Sequence, residues 1–364
     1  MSGIYVHVPF CHSKCFYCDF FSIANTTKLN DFVAAVEREY HARKIELNDD
    51  VSTIYFGGGT PSLLSPLLFT QLSGIFAHLN PEEFTIEVNP EDVDSEHVDT
   101  WLACRVNRIS IGVQSLNNSE LKAVNRRHDS QTALNAIKRL KEAGITNISA
   151  DLIYGLPGQT EDSWKESLSK LIESGVQHIS AYCLSFEEGT VLWQRRKQGI
   201  VKEASDETIN NMYRTLCDYT ANAGFNHYEI SNFALDGFRS QHNSAYWDGT
   251  PYLGLGPGAH SLGCDGQRRY VPGDIKQYLQ SPETAALVDE ETETDRINDT
   301  IMISLRTAKG LDLEDLPEKA RKCILANAQS TLHRGILRLE CERIFIPEEH
   351  WLLSDAVIRD LFIL

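Results

Sequence analysis

No run of about eighteen consecutive apolar residues occurs in this 364-residue chain, so no helix of membrane-spanning length is expected. Nor is there a basic N-terminal segment followed by an apolar one, the pattern that directs export; residues 1–10 lead straight into a cysteine motif. Positive charge is scarce. Lys and Arg number 34 against 51 Asp and Glu, a formal net charge of −17. Nonspecific nucleic-acid binding rests on neutralising phosphates with Lys and Arg, so that role is not expected, although a local basic pocket stays compatible with the balance. There is no low-complexity tract and no internal repeat beyond a strand–helix period. What is present fits a globular protein with a sizeable core: 42% hydrophobic residues and nine cysteines. Without an export signal, those cysteines point to a reducing, cytoplasmic compartment, where they serve as metal ligands, catalytic groups or small buried hydrophobes rather than disulfides.

Short Val-, Ile-, Tyr- and Phe-rich runs recur at 4–8, 53–56, 84–88, 108–113, 148–153 and 178–183, and read as strands. Helical patterns lie between them at 30–47, 65–79, 95–103, 131–143 and 161–174. Ser130 and Ser163 have cap or first-turn chemistry, and Gly144 and Gly175 follow last turns as stop signals. Such alternation predicts an α/β fold with a parallel sheet, doubly wound or curled into a partial barrel. Ligands on such sheets sit at the carboxyl ends of the strands. Further on, 206–223 reads as a helix and 226–231 as a strand, followed by a Gly- and aromatic-rich stretch at 232–270. The acidic run 289–295 reads as a solvated linker or helix start. Helices at 296–308 and 316–334, a hairpin at 336–346 turning near 341–343, and a helix at 350–362 predict a small, mainly helical, winged-helix-like C-terminal domain. The expected division is 1–285 for the barrel with its extension and 286–364 for that domain.

The loop after the first strand reads Cys11-His-Ser-Lys-Cys15-Phe-Tyr-Cys18. Structural zinc sites want four closed ligands, often as two separated pairs, and the next cysteine is only Cys104; zinc with His12 as a fourth ligand is the alternative reading. A cubane cluster normally takes four thiolates, and three would leave one iron open to an exogenous ligand. The spacing, with Tyr17 before the last cysteine, resembles the signature of the radical S-adenosylmethionine superfamily. Around it, Tyr5-Val-His-Val-Pro-Phe-Cys11, Phe56-Gly-Gly-Gly-Thr60-Pro-Ser, Gly112-Val-Gln114-Ser and Asp151-Leu-Ile-Tyr-Gly-Leu-Pro157-Gly-Gln-Thr are similar to the family of oxygen-independent coproporphyrinogen III oxidases and their close relatives, over essentially the whole chain. The resemblance implies a partial (β/α)6 barrel, a [4Fe-4S] cluster on Cys11, Cys15 and Cys18, and bound S-adenosylmethionine.

Each group of that ligand needs a partner. Gly58, Gly59 and Thr60 follow the second strand, where glycines let backbone approach a ligand closely. Glu87 is a costly carboxylate on a barrel strand unless paired, and suits the methionyl ammonium. Gln114 suits a ribose hydroxyl and Asp151 the ribose diol. Arg126 can grip the methionyl carboxylate in two places; Arg127 competes, and the spacing from Gln114 favours Arg126. Structural ion pairs are the alternative for each charged residue. The family places cofactor contacts at the matching positions, Tyr5 and Tyr17 included.

Two departures from the oxidase pattern point to a different branch. The oxidase has a fourth cysteine two residues after the third, where this chain has Phe20, and a longer N-terminal extension. Both features, together with His242-Asn-Ser-Ala-Tyr246-Trp247, resemble the heme-chaperone branch, whose His-Asn-x-x-Tyr-Trp motif is linked to heme binding. His242 has the chemistry of an axial iron ligand, Tyr246 and Trp247 offer flat faces to a porphyrin, and the loop from Gly254 to His260 is glycine-rich enough for a planar ligand to approach. A core histidine in an aromatic cluster is the alternative, with His260, His227 and Cys264 as rival ligands. The branch implies heme binding and transfer to acceptor hemoproteins such as respiratory, membrane-associated enzymes, with cluster and S-adenosylmethionine supporting homodimerisation or regulating transfer. The competing expectation is a radical enzyme that decarboxylates coproporphyrinogen III. The other six cysteines, Cys104, Cys183, Cys217, Cys264, Cys323 and Cys341, read as small hydrophobes.

Overall fold

In the computed structural model, which describes residues 2–47 and 50–363, the first half alternates strand and helix. The order is β1 (Ser2–Val8), α1 (Leu29–Arg43), β2 (Val51–Gly58), α2 (Pro66–Gly74), β3 (Glu83–Val88), α3 (Ser95–Ala103), β4 (Arg108–Gln114), α4 (Asn118–Ala123), α5 (Ser130–Glu142), β5 (Ile148–Tyr154), α6 (Glu161–Glu173) and β6 (His178–Cys183). Each of these six strands pairs in parallel with the next. Side chains alternate faces along a strand, and here the two faces differ in chemistry. Ile4, Val6 and Val8, then Ile109, Ile111 and Val113, then Ile148, Ala150 and Leu152 are fully buried, together with helix residues such as Trp101, Leu140 and Trp164 in one apolar cluster. The alternate set is polar: Tyr5 and His7, Arg108 and Ser110, Ser149 and Asp151.

That polar set faces a common interior. A flat sheet would put β1 and β6 about 24 Å apart, yet Tyr5, Tyr55, Glu87 and Tyr182, from β1, β2, β3 and β6, line a single cavity. The sheet is therefore curled into a partial barrel whose lumen is polar rather than packed with branched apolar side chains.

The helix starts differ in detail from the sequence expectation. Asp129, not Ser130, caps α5 by accepting from the Thr132 amide, and Thr160 caps α6 with Ser163 returning the bond. The second half continues with α7 (Val191–Lys197), α8 (Asp206–Asn222), β7 (Asn226–Glu229), β8 (Asn232–Ala234), α9 (Gln241–Asp248), β9 (Tyr252–Leu255), β10 (His260–Leu262), β11 (Arg268–Tyr270), α10 (Ile275–Gln280) and β12 (Leu287–Val288). The Gly- and aromatic-rich stretch thus supplies strands on both flanks. β9 adds in parallel beside β1, while β8 pairs antiparallel with β6, giving a twelve-stranded sheet with β12 and β7 at its ends. Of the glycines from 254 to 258, expected to admit a planar ligand, Gly256 also serves this packing. Gly256 has φ +93°, and a Cβ there would lie 2.6 Å from the His7 carbonyl oxygen.

The remaining elements are α11 (Glu293–Ser304), β13 (Leu311–Asp312), α12 (Glu318–His333), β14 (Arg338–Glu340), β15 (Arg343–Phe345) and α13 (Ser354–Leu361). The acidic run ends as a helix start, with Thr292 and Asp295 forming a capping box on α11. β13, β15 and β14 form a small antiparallel sheet. Its hairpin turns through Cys341 and Glu342, both with positive φ, the backbone of a type I′ turn. This part is tied to the barrel by the Ile230 amide donating to Arg306 and the Ala308 amide to Tyr228. β12 lies beyond residue 285 yet pairs with β11 in the large sheet, and one apolar cluster joins Ile301, Leu305 and Trp351 to the barrel core. Among the described residues, no helix is long and apolar enough to cross a membrane.

Candidate metal centre and ligand site

The cysteine loop is built as a closed excursion from the end of β1. Its base is pinned by the Cys11 amide donating to Ile23 and the Ile23 amide to Pro9. Its tip is held where the Phe16 amide donates to Val124 and the Leu192 amide to Phe16, with the Arg195 guanidinium 4.0 Å above the Phe16 ring. None of these restraints uses a thiol. Each sulfur has a donor aimed at it: Thr60 Oγ1 at 3.4 Å from Cys11 Sγ, Arg126 Nη1 at 3.5 Å from Cys15 Sγ, and the backbone of Phe20 on Cys18. Burial pushes the Cys18 thiol up to about 11, against the opposing pull of the Phe20 backbone bond. Gly59 makes room beside the loop, since a Cβ there would sit 2.7 Å from both the Val8 and Phe10 carbonyl oxygens. Three donor-supported thiols on one loop, open to a cavity, fit a cluster with one iron left to an exogenous ligand.

That cavity, of about 470 Å³, lies between the loop and the carboxyl ends of the strands. Cys11, Cys15 and Cys18 line it from the loop; Glu87 and Asp151 line it from β3 and β5. Glu87 accepts from Tyr55 Oη at 2.9 Å and from the Gly58 amide at 3.0 Å. Burial, then the charge of Asp151, pushes its carboxyl up to about 7. Asp151 accepts from Ser110 Oγ at 3.1 and 3.2 Å, and burial raises it to about 6. Arg126 donates through Nη2 to Asn89 Oδ1 and the Gly112 carbonyl, and its buried Nε has no partner. Burial pulls this guanidinium down, but Tyr17 and Cys15 beside it more than offset that and raise it. Gln114 has φ +65° at an irregularity in the β4–β5 register, a strained conformation for a non-glycine residue, and its amide lies over Gly112.

Most of the expected ligand residues thus share one cavity: Tyr17, Gly58, Gly59, Thr60, Glu87, Gln114, Arg126 and Asp151. Tyr5 does not line it. Its hydroxyl meets His7 Nδ1 at 3.1 Å, one layer lower, and its ring borders a second cavity. Asn89, Ser110 and Gly112 were missed. Each lies two residues from a residue that was named or from another of the set, so counting by the strand period finds them.

The two raised carboxyls set a pH dependence. Their folded-state values lie above the ordinary 4.5 and 3.8, so the ligand-free fold holds protons that the unfolded chain has released. Their contribution to stability is present at low pH and is lost as pH rises through about 6 and 7. A cationic ligand needs the ionised forms. The rise in melting temperature produced by S-adenosylmethionine is therefore expected to be larger at pH 8 than at pH 5.5, measured by differential scanning fluorimetry under anaerobic conditions. An equal rise at both pH values would remove these carboxylates from the ligand site.

The second cavity, about 520 Å³, opens on the other side of Glu87 and is lined by Tyr5, Tyr55, Tyr182, Tyr246, Trp247 and Arg306, among others. α9 supplies Asn243, Tyr246 and Trp247 to it, spaced as one helix face. His242, expected as an iron ligand, sits behind that face at 1% exposure. Its Nδ1 pairs with Thr53 Oγ1 at 2.8 Å and its Nε2 with Tyr246 Oη at 2.9 Å. The ring stacks on Tyr55 at 5.1 Å, and burial lowers its pKa to about 3. Both nitrogens are committed within the fold, so the structure gives His242 the place of a buried scaffold residue. Of the rival ligands, His260 and Cys264 are exposed, and His227 is paired with Glu348 at 2.7 Å. His242→Ala leaves a void and two unpaired hydroxyls, so a stability loss of about 2–4 kcal/mol is expected by urea denaturation. Cluster content should be unchanged; a loss below about 1 kcal/mol would contradict the scaffold role.

Comparison with known proteins places this arrangement. Residues 5–171 match the Radical SAM superfamily model. The chain is 37% identical to a heme chaperone HemW of Lactococcus lactis subsp. lactis, over 98% of this chain and 96% of that one. It is 33% identical to a heme chaperone HemW of Mycobacterium tuberculosis, over 99% and 94%. Among solved structures, coproporphyrinogen III oxidase (HemN) from Escherichia coli, a radical SAM enzyme, superposes with a TM-score of 0.83 at 24% identity, covering 99% of this chain and 89% of that one. A polar curled sheet, a three-cysteine loop at its mouth and full-length likeness to these relatives agree: the chain belongs to the heme chaperone HemW family within the radical SAM superfamily.

Proposed function

We propose that this protein binds heme and passes it to acceptor hemoproteins, with a [4Fe-4S] cluster on Cys11, Cys15 and Cys18 and S-adenosylmethionine in the cavity beside it. Family membership implies the cluster and S-adenosylmethionine; the full-length relatives named as heme chaperones carry the rest. When bound, the cluster supplies an iron that can chelate the methionyl group and, once reduced, a source of one electron. The chain's own residues do the positioning. Glu87 takes the ammonium, Arg126 the carboxylate, Gln114 a ribose hydroxyl and Asp151 the diol, while the Gly58–Gly59–Thr60 backbone and Tyr17 close the walls.

Heme is assigned to the second cavity. Tyr5, Tyr55, Tyr246 and Trp247 offer aromatic surface to a porphyrin, and Arg306, paired with Asp355 at 2.7 Å on the same wall, offers a cation to a propionate that takes the place of that carboxylate. His242 acts there through Tyr246, whose hydroxyl it holds. Phe20, in the place of the oxidase's fourth cysteine, is 64% exposed at the mouth of the first cavity.

The test pairs two anaerobic measurements on cluster-loaded protein. Heme titration followed by the Soret band should saturate, and incubation with coproporphyrinogen III, S-adenosylmethionine and reductant should yield no protoporphyrinogen IX. Trp247→Ala should weaken heme binding with the cluster intact, and His242→Ala should leave the spectrum of whatever heme remains unchanged. Robust formation of protoporphyrinogen IX by the wild-type chain would instead make it a decarboxylase.

A further inference from the structure

Outside the lining of both cavities, three potential ligand atoms from separate stretches of chain converge beside the edge strand β7. Cys217 on α8, His227 on β7 and Glu348 after β15 bring a sulfur, a ring nitrogen and a carboxylate oxygen all within 4.8 Å of one another. His227 Nδ1 lies 2.7 Å from Glu348 Oε1 and 4.0 Å from Cys217 Sγ. The imidazole is held rigidly, stacked on Phe233 at 4.0 Å and edge-on to Trp351 at 4.2 Å. Its Nε2 faces the Ile230 carbonyl at 3.5 Å. A proton on Nε2 then points at that carbonyl and leaves the Nδ1 lone pair directed toward Glu348 and Cys217. Metal-binding histidines are commonly oriented this way, by a backbone carbonyl on the far nitrogen. One turn earlier on α8, Tyr213 is 5% exposed, and its buried hydroxyl is directed at the Cys217 sulfur, with no other partner. Burial pushes the Cys217 thiol up to about 12, and that hydroxyl acts in the opposite direction.

We propose that Cys217, His227 and Glu348 bind a divalent cation of the zinc class, with water in the fourth position. Thiolate, imidazole and carboxylate together suit a borderline-soft ion, and three protein ligands plus water is a common zinc arrangement. Around a tetrahedral zinc these donor atoms stand about 3.4–3.6 Å apart. The sulfur–nitrogen distance must therefore close slightly and the nitrogen–oxygen distance open. The second movement falls to Glu348, whose side chain is 55% exposed, and the first to the Cys217 side chain, since the imidazole is held. Coordination releases two protons to solvent, one from the Cys217 thiol and one from His227 Nδ1, where Glu348 accepts it in the ion-free state, and the Tyr213 hydroxyl is placed to donate to the resulting thiolate. The ion would clamp the segment before α13 onto the end of the large sheet, joining residues 121 apart in sequence. Without an ion, the same three residues make a His227–Glu348 hydrogen bond beside the Cys217 thiol, and the experiment separates the two.

Cluster-loaded protein is dialysed anaerobically against one equivalent of Zn²⁺ and then against metal-free buffer. One zinc per chain is expected by elemental analysis, with one sulfur in the shell seen by zinc-edge X-ray absorption. Glu348→Gln, at a half-exposed position, should weaken zinc affinity at least tenfold. Cys217→Ser should remove the sulfur from the shell. The chain with Cys11, Cys15 and Cys18 all changed to Ser should still hold its zinc. Three results would overturn the proposal: no zinc retained by the wild-type chain, an unchanged sulfur-containing shell in Cys217→Ser, or zinc lost with the three loop cysteines. Failure here leaves the heme reading untouched, because neither cavity includes these residues.

Discussion

Changing Cys11, Cys15 and Cys18 together to Ser is expected to give a folded chain that takes up no iron or sulfide. All three thiols lie on one loop, and none belongs to the apolar clusters of the barrel. The bonds that hold the loop, from Cys11 and Ile23 at its base and Phe16 at its tip, are made by backbone groups, which the substitutions keep. Serine is also small enough to keep a contact with Thr60 and Arg126. The far-ultraviolet spectrum and urea midpoint should therefore stay close to those of the unreconstituted wild-type chain. Anaerobic reconstitution should give background iron, and S-adenosylmethionine binding should fall with it, since the iron that chelates the methionyl group is gone. A variant that still holds about four irons per chain would remove the cluster from this loop. Wholesale unfolding would contradict the view that the loop is an excursion from a self-sufficient core.

The six barrel strands were legible because each carries two signals at once. Its apolar residues recur every second position, and the run stops at Gly, Asn or Pro near the point where the chain leaves the sheet. β1 to β6 accordingly fall within about two residues of the expected runs. The polar residues between the apolar ones looked like isolated oddities in the sequence. In the fold they are one surface, and that is why Glu87, Gln114, Arg126 and Asp151 converge although they come from three strands and a loop. The flanks were less legible for a physical reason. β8, β9, β10 and β11 are three or four residues long, too short for a period to show, and within the glycine-rich 254–258 stretch, which resembles a ligand loop, Gly256 spaces the chain against β1 and Gly254 against His260. His242 is the clearest case. A histidine next to Tyr and Trp reads as a ligand, and only tertiary contacts with Thr53, from a strand 189 residues away, show both nitrogens taken. Phe20 was legible as the absence of a cysteine, but its exposure was not.

Arg126→Ala is expected to weaken S-adenosylmethionine binding by about tenfold or more, and Arg127→Ala to change it little. A hydrogen bond to a charged group contributes about 1.5–3 kcal/mol, and the two arginines differ in whether the bond is made inside the cavity. Arg127 is 45% exposed and reaches Glu91 at 3.7 Å, outside it. Arg126 lines the cavity, with Nη2 fixed on Asn89 and Gly112 and Nη1 on Cys15. Its remaining donor capacity, including the buried Nε, is left for a carboxylate. Removing it also orphans Asn89 Oδ1 and the Gly112 carbonyl, so some loss of stability must be separated from lost recognition. Arg126→Lys serves for that, since it keeps the charge but not the fork. It should recover stability more than affinity. A second readout comes from the contact with Cys15. A charged donor on a ligating sulfur favours the more negative, reduced cluster, so its loss should shift the cluster potential downward. Binding is measured anaerobically by calorimetry and the potential by redox titration of the same preparation. If Arg127→Ala proves the more damaging change, or if Arg126→Ala lowers stability while leaving both affinity and potential as they were, Arg126 is a structural residue and the carboxylate lies elsewhere in the lumen.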